Sequence, residues 1–123
     1  MTDYLSLDDV LEIAEAVVGD TVQVRDSGLL ASAVTMPQMS VYGQDAYPDM
    51  ADKSAILLYS IVRNHCLIDG NKRLAWACAR IFLLLNDLDL AYTTDEAESL
   101  VLSAATGSLD PRALAADLRY HLN

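Results

Sequence analysis

The chain has 123 residues, 53% of them hydrophobic, and a formal net charge of −10. That length supports one domain (residues 1–123) with ample material for a single core and no room for a second. The charge excludes general affinity for DNA, RNA or an anionic membrane face, all of which need a positive field.

Met1-Thr2-Asp3-Tyr4 has neither the basic start nor the apolar run of a signal peptide. The stretch Leu74 to Leu85 is interrupted by Arg80 and falls short of the roughly 20 residues a bilayer requires. The expectation is a cytoplasmic protein whose partners are proteins or metal-bound nucleotides. Cys66 and Cys78 form neither a disulfide framework nor a zinc pattern and are expected to be ordinary buried thiols.

Ser6-Leu7-Asp8-Asp9 has the form of a capping box, and Val10, Leu11, Ile13, Ala14, Val17 and Val18 then recur at helical spacing up to Gly19. Asp26 and Ser27 offer caps for a short second helix carrying Leu29, Leu30, Ala33 and Val34, which Pro37 must end. From Pro37 to Pro48 there is no helical period but two tyrosines and a glycine, which predicts a loop or short hairpin-like flap.

Asp49 or Asp52 caps a third helix that runs to about Asn64-His65 with a wide apolar face. After Asp69-Gly70 a fourth helix runs from Asn71 to Asn86. Apolar residues surround its axis, which predicts a central, buried position. Thr93 with Glu96 opens a fifth helix, stopped at Gly107, and Asp110-Pro111 starts the last. No strand of period 2 stands out, and no internal repeat or low-complexity tract is present. The expected architecture is all-α, a six-helix bundle around the helix at about 71–86.

The chemistry-bearing segment is His65-Cys66-Leu67-Ile68-Asp69-Gly70-Asn71-Lys72-Arg73. Four of the chain's eight basic residues, Arg63, Lys72, Arg73 and Arg80, fall between positions 63 and 80 of an otherwise acidic sequence. Helix N-termini present unpaired N–H groups and a partial positive charge, a ready site for phosphate. Gly70 lets the backbone approach an anion, Asn71 adds a side-chain donor, and Lys72 and Arg73 add two full charges that oppose the helix dipole unless an anion is bound.

Asp69 is an oxygen ligand suited to Mg²⁺, and His65 can act as general base toward an incoming hydroxyl. A lone His at a helix end is usually structural and Asp-Gly-Asn is usually a turn; the ordered combination is what points to a site. Arg80 is expected to pair with a carboxylate inside the bundle. His121 is expected on the surface, without a role. A zinc site at His65 and Asp69 is set aside for want of further ligands.

This segment resembles the Fic/Doc family, whose signature runs H-x-F-x-(D/E)-x-N-(G/K)-R. His65, Asp69, Gly70, Asn71 and Arg73 match, and Lys72 is the Lys variant, which looks like the toxin branch found in Phd/Doc toxin–antitoxin pairs. Fic adenylyltransferases commonly carry a second Arg three residues on, where this chain has Trp76. The family's Phe is Leu67 here and the Pro that often follows the His is Cys66; Leu67 can still plug the loop into the core. Further similarity runs through Arg25-Asp26-Ser27-Gly28-Leu29-Leu30, Met36-Pro37-Gln38, Tyr42-Gly43 and Ala104-Ala105-Thr106-Gly107.

The resemblance implies a Fic fold and an ATP-dependent protein Ser/Thr kinase that moves the γ-phosphate to a hydroxyl of a translation factor, elongation factor Tu being the suggested target. Within it His65 is the catalytic base, Asp69 holds Mg²⁺, and Gly70, Asn71, Lys72 and Arg73 bind the phosphates of ATP, while the flap docks the target. The implied partner is a Phd-like antitoxin whose C-terminal segment folds into a groove on the domain. AMP transfer in the Fic manner and a non-catalytic binding module are the alternatives.

Overall fold

The computed structural model describes residues 1–123. They form α1 (Leu7–Val17), α2 (Ser27–Thr35), β1 (Ser40–Val41), β2 (Gln44–Asp45), α3 (Met50–Asn64), α4 (Asn71–Leu85), α5 (Thr94–Ala105) and α6 (Pro111–Tyr120), with a 3-10 turn at Met36–Gln38. The all-α, six-helix expectation holds. The helix starts follow local chemistry: Ser6 and Asp9 close a reciprocal box on α1, and Thr93 and Glu96 close another on α5. Asp26, Asp49 and Asp110 each accept a backbone N–H from their own first turn. Of the two residues that could cap α3, Asp49 does so.

The centre of the bundle is α3, a correction to the expectation that 71–86 would occupy it. Helix α3 packs against α2, the 3-10 turn, α4, α5 and α6, whereas α4 packs against α1, α3 and α5. Small residues at Ala51, Ser54, Ala55 and Ser60 let neighbours approach α3 from several sides, and Leu57, Leu58, Ile61 and Val62 fill the spaces between. Burying each of those large side chains contributes about 1.5–3 kcal/mol.

Helix α4 buries one face only, through Leu74, Ala75, Cys78, Ala79, Phe82 and Leu83. Trp76, Ala77 and Ile81 are half covered, while Leu84 and Leu85 are exposed. Apolarity all round an axis thus described a helix with one face in the core and another along a groove. Both helices still draw on a single continuous core of 26 buried residues.

The stretch read as a loop or flap is a short antiparallel hairpin in which Ser40 pairs with Asp45 and Val41 with Gln44. Its two-residue turn has Tyr42 at φ 52° and Gly43 at φ 78°, the left-handed pair that matches the twist of a tight hairpin. The C-terminal residues pair back onto the α4–α5 connection through a Leu90–Leu122 bridge. No helix is long and apolar enough to cross a membrane.

Candidate functional site

Helix α3 ends on His65, whose left-handed conformation (φ 49°, ψ 52°) turns the chain sharply and leaves its side chain exposed. Cys66 and Leu67 then drop into the core at 0% and 1% exposure. Leu67 therefore is the apolar anchor that its position in the motif predicts, and its backbone is held at both ends by Asn71. The Asn71 Oδ1 accepts from the Leu67 N–H at 2.8 Å, and its Nδ2 donates to the Leu67 carbonyl at 2.9 Å. The expectation for Asn71 was a side-chain donor to phosphate; in the structure the carboxamide braces the loop, and the Asn71 backbone N–H lies in the first turn of α4.

A second set of bonds comes from the segment before α2, which the sequence marked as a helix cap and a stretch of family similarity without a role at the site. The N–H groups of Arg25 and Asp26 donate to the Cys66 carbonyl at 2.8 and 3.2 Å, and the Ile68 N–H donates to the Gln23 carbonyl at 3.0 Å. The Arg25 side chain reaches further, with Nε donating to the His65 carbonyl at 2.7 Å and Nη2 to that of Asn64 at 3.1 Å. Arg25 thereby caps the C-terminus of α3 and fixes the backbone of His65, a role for which a separation of 40 residues leaves no local signal.

The start of α4 is unlike the other helix starts. Its N-cap, Gly70, offers no side chain, and the first turn holds Lys72 and Arg73 with no acidic residue. The Gly70 N–H is taken by Asp69 Oδ1 at 2.9 Å, which leaves the first-turn N–H groups of 71–73 directed outward, as the helix geometry requires. Gly70 was expected for close approach to an anion. Its φ of 91° and its nearness to α1 supply the structural reason: a Cβ there would lie 2.6 Å from Val18 Cγ2. Arg73 Nη1 makes a long contact of 3.4 Å with the Val17 carbonyl, holding α1 against the loop.

All six residues singled out from the sequence line one cavity of about 260 Å³: His65, Asp69, Gly70, Asn71, Lys72 and Arg73, together with Val62, Ile68 and Ala105. Lys72 and Arg73 also line a larger groove of about 760 Å³ between α4 and α5, whose floor includes Trp76, Tyr92, Val101 and Leu102. The Trp76 ring meets Tyr92 edge-on at 5.4 Å, so the position three residues after Arg73 presents an aromatic wall to the groove.

Arg80 is paired, but with Asp89 at 3.0 Å on the surface and not inside the bundle. His121 is partly buried and structural: its ring stacks on Tyr92 at 3.9 Å and its Nδ1 lies 2.8 Å from the Asp117 carbonyl oxygen. Both cysteines are buried and free; burial pushes the Cys66 thiol up and the Cys78 thiol up to about 12, so neither is a thiolate at neutral pH. No three His, Cys, Asp or Glu side chains lie close enough together to hold a metal by themselves.

The family model described as the Fic/DOC family matches residues 4–83, from just before α1 to near the end of α4. The chain belongs to the Fic/DOC family. It is also similar to a protein named Toxin Doc from Mycolicibacterium smegmatis (strain ATCC 700084 / mc(2)155), 49% identical over 120 residues that cover 96% of this chain and 92% of the relative. The family match includes the hairpin, the Arg25 segment and the whole of the His65–Arg73 loop; α5 and α6 lie beyond it but within reach of the longer alignment. In this Fic/DOC chain the signature therefore coincides with the one helix start that has no side-chain cap.

Proposed function

We propose that this protein is the toxin of a toxin–antitoxin system and acts as a Doc-type protein Ser/Thr kinase in the cytoplasm. The single observation that carries the reading is the convergence of His65, Asp69 and the uncapped, doubly basic N-terminus of α4 in one cavity. The donor set suits Mg-ATP. Asp69 keeps one carboxylate oxygen free of the Gly70 N–H, and Mg²⁺ generally takes one or two carboxylates and draws its remaining ligands from phosphates and water. Bound there, Mg-ATP supplies an activated γ-phosphoryl group and the metal neutralises its charge.

The residues do the remaining work. His65 accepts the proton of the target Ser or Thr hydroxyl as its oxygen bonds to the γ-phosphorus, and the bond from that phosphorus to the β–γ bridging oxygen breaks, releasing ADP. Lys72, Arg73 and the N–H groups of 71–73 stabilise the charge that spreads over the phosphoryl oxygens, since phosphoryl transfer is chiefly positioning and electrostatics. Trp76, in place of a second Arg, has no means of gripping terminal phosphates, which favours γ-phosphate transfer over AMP transfer. The exposed hairpin around Val41 and Tyr42 would dock the target, for which the resemblance suggests elongation factor Tu.

A Phd-like antitoxin fits the same arrangement. The groove beside α4 shares Lys72 and Arg73 with the phosphate cavity, so a segment folding into it would cover two of the residues that bind ATP. The test is to incubate the protein and a His65→Ala control with Mg-ATP and elongation factor Tu, with label on the γ-phosphate in one reaction and on the α-phosphate in another. Transfer of γ-label alone, lost in the control, is the expected result. Transfer of α-label would replace the reading with adenylylation, and no transfer to this or any other translation factor would replace it with a non-catalytic binding module.

A further inference from the structure

Lys53 is the only lysine buried in the chain's interior, at 1% exposure, and it lies in the first turn of α3. A lysine is almost never fully buried without partners. Its Nζ donates to the Tyr47 carbonyl and forms an ion pair with Asp45 Oδ2 at 3.2 Å. It also sits 5.9 Å from the centre of the Tyr4 ring, and Tyr4 stacks at 6.0 Å on Phe82 in the core face of α4. Asp45 is the last residue of β2 and Tyr47 follows two residues on, so both protein oxygens that Lys53 engages belong to the hairpin or its return strand.

We infer that Lys53 is a positioning residue that clamps the hairpin to α3 and so fixes where the protein target is presented to His65. The inference rests on the reading of the hairpin as the docking surface. Three observations carry it. The hairpin has only two ladder pairs and its strands are exposed on both faces, so it lacks the buried area that makes a two-stranded ribbon stable alone. Apart from the Ala46 N–H bond to the Met39 carbonyl, which lies within the hairpin itself, the recorded polar ties from Asp45 and Tyr47 to the helical body run through Lys53.

The third is mechanical. Lys53 and His65 stand at opposite ends of one straight element, twelve residues and about 18 Å apart at 1.5 Å per residue. A rigid helix then acts as a spacer: the clamp sets the hairpin at one end and Arg25 sets the His65 backbone at the other. A charged clamp with a buried donor is directional where an apolar contact would allow sliding, because a buried ammonium that leaves its partners is unpaired.

The test compares the full chain with Lys53→Met, which keeps the aliphatic stem, and Asp45→Asn, which removes the charge from the exposed partner and keeps the core intact. Amide hydrogen exchange should rise at least about tenfold at Ala46 and across Val41–Asp45 in both variants, with the α4 amides unchanged, as local opening without global loss predicts. In the kinase assay the KM for the protein target should rise by about tenfold or more while the KM for ATP stays within about twofold, the pattern of lost target positioning. Unchanged hairpin exchange in both variants would overturn the clamp. Equal loss against target and ATP would overturn its role in presentation. Absence of transfer by the unsubstituted protein would count against the kinase reading alone, the clamp being decided by the exchange data.

Discussion

Helices α4 and α5 begin in opposite ways. At α5, Thr93 accepts from the Glu96 N–H and Glu96 returns a bond to the Thr93 N–H, so the helix closes its own end with side chains and places two acids beside its positive pole. At α4, Gly70 contributes no side chain, the neighbouring charges are Lys72, Arg73 and the Asp69 carboxylate that takes the Gly70 N–H, and the Asn71 carboxamide is turned back onto Leu67. One start is closed by side chains of its own first turn; the other leaves the N–H groups of 71–73 without a side-chain cap. Basic residues in the first turn of a helix oppose its macrodipole and cost stability, a cost that the proposed phosphate site would offset.

The difference can be broken most severely at Asn71. Asn71→Ala removes both bonds to the buried Leu67 peptide and leaves its N–H and carbonyl unpaired, which should cost about 2–3 kcal/mol and abolish transfer. Thermal unfolding would then fall by roughly 8–12 °C on the scale of a domain this size, a drop calorimetry resolves easily. Next comes Arg25→Ala. Its bonds to the His65 and Asn64 carbonyls are solvent-exposed, so the stability loss should stay near 1 kcal/mol, yet the rate should fall about tenfold because His65 is no longer held. Single-turnover assays with Arg25→Lys as the partial restoration would separate positioning from folding.

The smallest effect belongs to the self-sufficient start. Thr93→Ala should lower stability by about 1 kcal/mol, the ordinary worth of an N-cap, and leave γ-phosphate transfer within about twofold of the unsubstituted chain. A large loss of transfer from this substitution would mean that α5 contributes to the site directly and that the contrast between the two helix starts is drawn in the wrong place.

What could be read in the amino-acid order follows the range of the interactions. The caps at Ser6, Asp26, Thr93 and Asp110 act over three residues, and each is formed as its pattern indicates. The His65–Arg73 motif was likewise legible because its members are neighbours in the chain. Arg25 was not, since its partners lie about forty residues away. Lys53 was hidden for a different reason: lysine ordinarily marks a solvated face, and nothing nearby in the sequence announces that Asp45, the Tyr47 carbonyl and the Tyr4 ring converge on it.

The exchange of centrality between α3 and α4 has the same root. Apolar periodicity reports what a helix can bury and not which neighbours come to cover it, so Trp76 and Ala77 read as core while lining a groove. Small residues carried the better clue, because Ala51, Ser54, Ala55 and Ser60 permit the close packing that a central helix needs.

The most direct test of the contrast is an amide-resolved NMR titration with Mg²⁺ and a non-hydrolysable ATP analogue. Saturable shifts at the backbone N–H groups of Asn71, Lys72 and Arg73, with those of Thr94, Asp95 and Glu96 unmoved, are the predicted result. Shifts confined to other parts of the chain, or none at any concentration up to the millimolar range, would contradict the assignment of the α4 N-terminus as the phosphate site.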